Sequence, residues 1–241
     1  MQLSHNPSAK VILITGAGRG IGAAVAKAAA AEGHYVAANY RSESDEVEQL
    51  IAGLKDGIGI RADVSLVEDV QRLINDTLAH FGRIDCVINN AGIGEVCPID
   101  RLDLALFQKT IHANLTSAFL VSQAAWPQMT RDGGRLIFMS SAAARSGGGL
   151  SAAYAASKGG VESLMHAYAS ALRPHRITAN AIAPALIESR MADAINASPA
   201  EKLPLGRLGR AEELWPVTRM IIETEYLTGQ TIHVDAGRYM T

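Results

Sequence analysis

Cysteine, aromatic residues and net charge are all scarce in this sequence. The two cysteines, Cys86 and Cys97, make neither a disulfide framework nor a zinc-ligand pattern, so neither cross-links nor a structural metal is expected. A chain of 241 residues can bury about 70% of its unfolded surface and needs no such staple. Cys86 lies in the apolar run 84–88 and reads as a core residue. Seven histidines are scattered without ligand spacing. A formal net charge of −2 offers no basic face, and with it no reason to expect nucleic acid. No apolar run approaches the roughly 20 residues of a membrane span. Residues 1–9 show neither the charged start nor the apolar stretch of a signal peptide, so the cytoplasm is the expected location.

What is present is an alternation. The run 10–15 (KVILIT) predicts a strand ending in glycines, and the alanine-rich 21–31 predicts a helix stopped by Gly33. Strands follow over 34–40, 58–62, 86–89, 135–140, 178–182 and 230–234. Helices are expected over 44–55, 65–81, 104–129, 153–172 and 211–222. Ser65, with Glu68 three residues on, suggests an N-cap in a capping box. Strands that alternate with helices of ten or more residues pair in parallel, because each crossover returns the chain to the same end of the sheet. Their continuous apolar character suits a sheet covered on both faces. No composition shift, linker-like stretch or repeat divides the chain. The expected fold is therefore α/β, a doubly wound, mostly parallel sheet with helices on both faces, forming one domain over 1–241.

The first βα junction reads Thr15-Gly16-Ala17-Gly18-Arg19-Gly20-Ile21-Gly22. Glycines let an anion approach the main chain, and the amides of a helix N-terminus attract it. With a strand before and a helix after, this loop predicts a dinucleotide pyrophosphate site. An acidic residue at the end of the second strand would favour NAD(H) through the ribose hydroxyls. Here the chain runs Asn39-Tyr40-Arg41-Ser42, with no carboxylate before Glu43. Arg41 and Arg19 are suited to a phosphate dianion, so NADP(H) is preferred and NAD(H) is the alternative.

Tyr154 and Lys158 stand four apart at the start of the second long helix, hence on one face. An ammonium beside a phenol favours the phenolate, which predicts a lowered tyrosine pKa and a general acid/base. Ser140 and Ser141 follow the fifth strand and Asn89-Asn90-Ala91-Gly92 ends the fourth, both at the carboxyl edge where such sheets bind ligands. Together with Asn114, these motifs in this order resemble the short-chain dehydrogenase/reductase family over nearly the whole chain. Within it they are most like 3-oxoacyl-acyl-carrier-protein reductases, on the strength of Pro204-Leu205-Gly206-Arg207 and the tail Thr228-Gly229-Gln230…His233-Val234-Asp235.

The resemblance implies a Rossmann-fold oxidoreductase interconverting a ketone and a secondary alcohol, with a role for each position. Tyr154 would exchange the proton with the substrate oxygen, and Ser141 would bind that oxygen. Lys158 would hold the nicotinamide ribose, and Asn114 a water that relays protons to Lys158. Gly16, Arg19, Gly20, Ile21 and Gly22 would take the pyrophosphate. Asn90, with Ala91 and Gly92, would line the cofactor, and the Ile187 main chain would meet the nicotinamide amide. Asp63 would contact adenine beside Val64; its alternative is to cap the following helix. Residues 188–203 would form a substrate lid carrying Met191, Ala194, Ile195 and Pro199. The two long helices would pair copies of the chain into a homodimer or homotetramer.

Some positions depart from the family pattern. Ala185 follows Pro184, and Ala236 stands in the tail, where the family has glycines, so local turns are expected to differ. The stretches 50–63 and 220–229 are short. These departures keep open an NAD(P)-dependent dehydrogenase of a sugar, steroid or other alcohol, or a pterin reductase. A catalytically silent dinucleotide sensor or scaffold is the alternative from another class, against which Ser141, Tyr154 and Lys158 are all present.

Overall fold

The computed structural model describes residues 9–194 and 203–239. Seven parallel strands form its sheet, in the order β3-β2-β1-β4-β5-β6-β7. They are β1 (Val11–Ile14), β2 (Tyr35–Tyr40), β3 (Ile58–Arg61), β4 (Cys86–Asn89), β5 (Gly134–Met139), β6 (Ile177–Pro184) and β7 (Thr231–Val234). β1, β4 and all eight residues of β6 are buried, as continuous apolar runs require in a sheet covered twice. One core cluster packs Leu13, Val87, Leu136 and Phe138 against α3 (Val67–Phe81), α5 (Ser117–Ala125) and α7 (Ala152–Ala171). The other packs Ile12, Ile88, Ile137 and Ile182 against α1 (Gly20–Ala31), α2 (Asp45–Gly53) and α9 (Leu214–Glu223). This is the single-domain Rossmann-like architecture expected. Strand order reverses between β1 and β4, which opens a crevice at their carboxyl ends.

Two local expectations are corrected. Residues 104–129 do not form one regular helix. α4 (Leu104–Ile111) runs into a wider π-turn, His112–Thr116, before α5, and a tighter turn, Trp126–Met129, closes the segment. The π-turn holds Asn114, whose side chain bonds to both the amide and the carbonyl of Ile93, at 2.7 and 2.9 Å. The extra residue per turn re-aims that side chain, the usual reason such a turn persists. Nor does Ser65 cap α3. The cap position is Leu66, while the Ser65 amide and hydroxyl donate to Asp63 Oδ1 at 3.0 and 2.6 Å. The carboxylate is the stronger acceptor and draws the serine back out of the helix.

The two departures from glycine have opposite outcomes. Ala185 keeps an ordinary backbone, its amide donating to the Val234 carbonyl at 3.1 Å, so no glycine is required there. Ala236 sits at φ 57°, in the left-handed region, where a Cβ is strained. Among the described residues no helix is long and apolar enough to cross a membrane, and no cluster of metal-ligand type occurs.

Candidate active site

The glycine loop joins β1 to α1 at the crevice. Gly16 and Gly20 adopt φ values of 62° and 56°. A Cβ on Gly16 would fall 2.8 Å from the Ala91 Cα, and one on Gly22 2.5 Å from the Asn90 side chain. The loop is thus packed onto the end of β4 with no room for a side chain at Gly16 or Gly22. Arg19 is the N-cap of α1, which has no side-chain cap and no acidic residue in its first turn. Its first amides are open donors at the positive end of the helix dipole, and with open space over Gly20 they fit a pyrophosphate. Ile21 anchors that turn against the core.

Three polar side chains hold the loop. Thr15 Oγ1 accepts the amides of Asn90 and Ala91, each at 3.0 Å. Asn90 Nδ2 donates to the carbonyls of Thr15 and Gly16 at 2.9 and 3.0 Å. Asn39 Oδ1 accepts the Gly16 amide at 3.2 Å, and its Nδ2 donates to the carbonyls of Ile60 and Ala62 at 3.3 and 3.0 Å. Thr15 and Asn39 are buried. Sequence reading singled out neither, although an asparagine inside the otherwise apolar YVAANY strand is the available signal.

In the glycine loop and after β2, Arg19 and Arg41 are exposed and, among the described residues, in no ion pair. Glu43 bonds to the Tyr40 hydroxyl at 3.2 Å. Asp63 does not cap α3, whose cap position Leu66 receives no side-chain bond; its Oδ1 accepts the Ser65 amide and hydroxyl ahead of the helix, and Val64 turns its side chain into the core.

Tyr154 and Lys158 sit one turn apart on α7, beside the end of β5. Tyr154 is 8% exposed and Lys158 5%. The Lys158 ammonium donates to the Met139 carbonyl at 2.7 Å and lies 5.8 Å from the centre of the Tyr154 ring. Burial lowers its pKa to about 8. Burial raises the Tyr154 phenol above its ordinary value, opposed by a hydrogen bond from Ser141. The lysine therefore does not bring the tyrosine pKa down here; desolvation wins, and Tyr154 is held as the neutral phenol. Asn114 Nδ2 reaches the Ser157 hydroxyl at 2.9 Å, which in turn donates to the Tyr154 carbonyl at 2.7 Å. Thus Asn114 is joined to the helix that carries the Tyr-Lys pair. Over Tyr154 pack Ala143, Leu150 and Met191.

Known proteins similar to this chain point to one family. The family model described as enoyl-(acyl carrier protein) reductase matches residues 16–238. The 3-oxoacyl-[acyl-carrier-protein] reductase of a Synechocystis strain is 38% identical, covering 97% of this chain and 98% of its own. A solved short-chain dehydrogenase/reductase of Serratia marcescens, a double mutant, aligns at TM-score 0.87 and 32% identity over 95% of this chain and 97% of that one. The chain belongs to the short-chain dehydrogenase/reductase family. It is an oxidoreductase of that family. A 3-ketoacyl-(acyl-carrier-protein) reductase of Brucella melitensis, solved in complex with NADH, aligns at TM-score 0.90 and 27% identity over 96% and 98% of the two chains.

Ile187 is buried against Leu214 and Trp215, and its segment is pinned by a bridge to Gly209. Of the expected lid, α8 (Arg190–Ala194) brings Met191 onto Tyr154; Ile195 and Pro199 lie outside the described residues. A cleft of about 150 Å³ lies beside Ile187, Leu203, Leu205 and Val234, without Tyr154 in its wall. Ser140, passed over in favour of Ser141, donates to Glu162 Oε1 at 2.8 Å and to the Lys158 carbonyl at 3.3 Å. Leu150 and Ser157 were not foreseen, because nothing in their sequence context separates them from ordinary helix and loop residues.

Proposed function

We propose that this enzyme is an NADP(H)-preferring reductase that converts the ketone of a 3-oxoacyl thioester into a secondary alcohol, with Tyr154 as proton donor. One observation carries this reading: the buried Tyr154 phenol lies one turn from buried Lys158, whose ammonium is 5.8 Å from the centre of the phenol ring. The named activities of the Synechocystis and Brucella relatives support the thioester, and the apolar cover of Leu150 and Met191 suits an acyl chain.

A nicotinamide dinucleotide, when bound, supplies the hydride. The amides of the glycine loop hold its pyrophosphate, Asn90, Ala91 and Gly92 line it, and Lys158 and the Ile187 main chain hold its nicotinamide end. Asp63 keeps its second carboxylate oxygen for the adenine beside Val64. Ser141 orients the carbonyl oxygen of the substrate. Tyr154 delivers its proton where negative charge develops on that oxygen, which a neutral phenol does and a phenolate does not. The Lys158 ammonium, 5.8 Å from the centre of the ring, then stabilises the phenolate, and a water held at Asn114 returns the proton through Lys158.

Tyr154→Phe tests the mechanism. Turnover is expected to fall by at least about a thousandfold, with cofactor affinity kept; full activity in the variant would overturn the role of Tyr154. A panel of 3-oxoacyl thioesters, sugars, steroids and pterins, followed at the nicotinamide absorbance, tests the substrate. Turnover of the others but not of thioesters moves the reading to a different alcohol dehydrogenase or a pterin reductase. Cofactor binding without any turnover moves it to a silent sensor. The NADH held by the Brucella relative supports NAD(H) as the rival cofactor, decided by comparing KM for the two.

A further inference from the structure

We propose that Arg61, at the end of β3, is a third guanidinium of the site that receives the 2′-phosphate of NADP(H), setting cofactor choice together with Arg19 and Arg41. This rests on the NADP(H) preference proposed above and extends it to a residue two strands away from the glycine loop.

The parallel register lays Arg61 beside Tyr40, so β3 ends next to the residue that precedes Arg41. Arg61 Nε donates to the Arg41 carbonyl at 3.3 Å. That bond uses only the inner nitrogen, and the outer fork of the guanidinium stays available to an anion. The strand end itself is braced, because Arg72 donates to the Arg61 carbonyl at 2.8 Å and to Asp69 at 2.7 Å. The glycine loop reaches the same corner: a Cβ on Gly18, the neighbour of Arg19, would lie 3.4 Å from the Tyr40 Cβ.

Three nearby carboxylates have other hydrogen-bond partners, and Asp69 in addition feels the Arg61 charge. Asp69 bonds to Arg72 and to the Asp63 amide. Asp63 Oδ1 takes Ser65, and Glu43 takes the Tyr40 hydroxyl. Among the described residues, none of Arg19, Arg41 and Arg61 stands in a salt bridge. Like charges gathered at one corner repel, and a phosphate dianion relieves that repulsion while a ribose hydroxyl does not.

The test is binding rather than turnover. Titration calorimetry on the full chain would compare 2′,5′-ADP with 5′-AMP, and NADPH with NADH. The key variant is Arg61→Gln, whose side-chain amide nitrogen can keep a donor near the Nε position while the charged fork is lost. The expected result is a loss of about five- to tenfold in affinity for 2′,5′-ADP and NADPH, with 5′-AMP and NADH unchanged. The 2′,5′-ADP affinity of the variant should also depend less steeply on salt. Wild-type affinity in Arg61→Gln, with a loss in Arg61→Ala, would mean that Arg61 only positions Arg41, and would overturn the proposal. So would equal losses for 5′-AMP and 2′,5′-ADP. Failure of the underlying preference is distinguishable: the wild-type chain would then bind 2′,5′-ADP no tighter than 5′-AMP. If the wild type does prefer 2′,5′-ADP and Arg41→Ala erodes this while Arg61→Gln does not, only the role of Arg61 falls.

Discussion

Burial acts on Tyr154 and Lys158 in opposite senses, since it disfavours whichever form of each is charged. The phenol rises above its ordinary value and the ammonium falls to about 8, so near neutrality both carry a proton, the state the proposed reduction needs. Reduction is expected to weaken as pH rises through about 8, when Lys158 loses the charge that stabilises a phenolate; a pH–kcat profile checks this. The same shift has a sign for stability. The lysine pKa is lower in the folded chain than its ordinary value of 10.5, so between the two the unfolded chain binds more protons and stability rises with pH. Below about 8 the cost of burying the charge is fully present. Lys158→Met removes that cost but leaves the Met139 carbonyl without its donor. We expect an inactive chain, more stable by about 1–2 kcal/mol at pH 7, with the gain shrinking toward pH 10. A thermal melt series over pH measures it, and a gain that grows with pH would refute the assignment.

The π-turn at His112–Thr116 shows how an element is bent by one side chain. Asn114, buried and bonded to Ile93 and Ser157, ties the loop after β4 to the helix of Tyr154 and Lys158. Asn114→Ala strands those partners and is expected to lower stability by about 1–3 kcal/mol; chemical denaturation reads this. Asn114→Asp restores an acceptor to the Ile93 amide but no donor to Ser157, so it is expected to recover only part of the loss. At the other end of the sheet, Ala236 is strained at φ 57°. Ala236→Gly should raise stability by about 1 kcal/mol, whereas Ala185→Gly, where φ is not positive, should lower it slightly through the entropy of the unfolded chain. The same pair of melts separates the two positions that sequence reading treated alike.

For the whole molecule, the outer side of the α4–α5 segment leaves Leu104 68%, Phe107 37% and Phe119 44% exposed. Apolar side chains spaced along one segment support the pairing of copies through the long helices, as proposed from the family. Phe119→Glu is then expected to shift the chain toward monomer in light scattering after size exclusion; an unchanged mass would reject this face. The Tyr-Lys pair, the serine after β5 and the glycine loop come from segments far apart in the chain. The parallel sheet delivers them to one edge because each crossover returns to the same end.

The alternation of strands and helices, the glycine loop and the Tyr154–Lys158 spacing were legible by themselves, because each depends on a local period or a local backbone freedom. Arg19 and Arg41 stand exposed in a loop and after a strand end, places that local pattern gives. What only the tertiary structure decided depends on which groups meet across the sheet. Asn39 and Thr15 became the fasteners of the glycine loop, Asp63 turned to Ser65, Arg61 came beside Arg41, and the direction of the Tyr154 pKa reversed. Four-residue spacing places an ammonium near a phenol, but the sign of the shift is set by how much water the packed site excludes, and no local pattern records that.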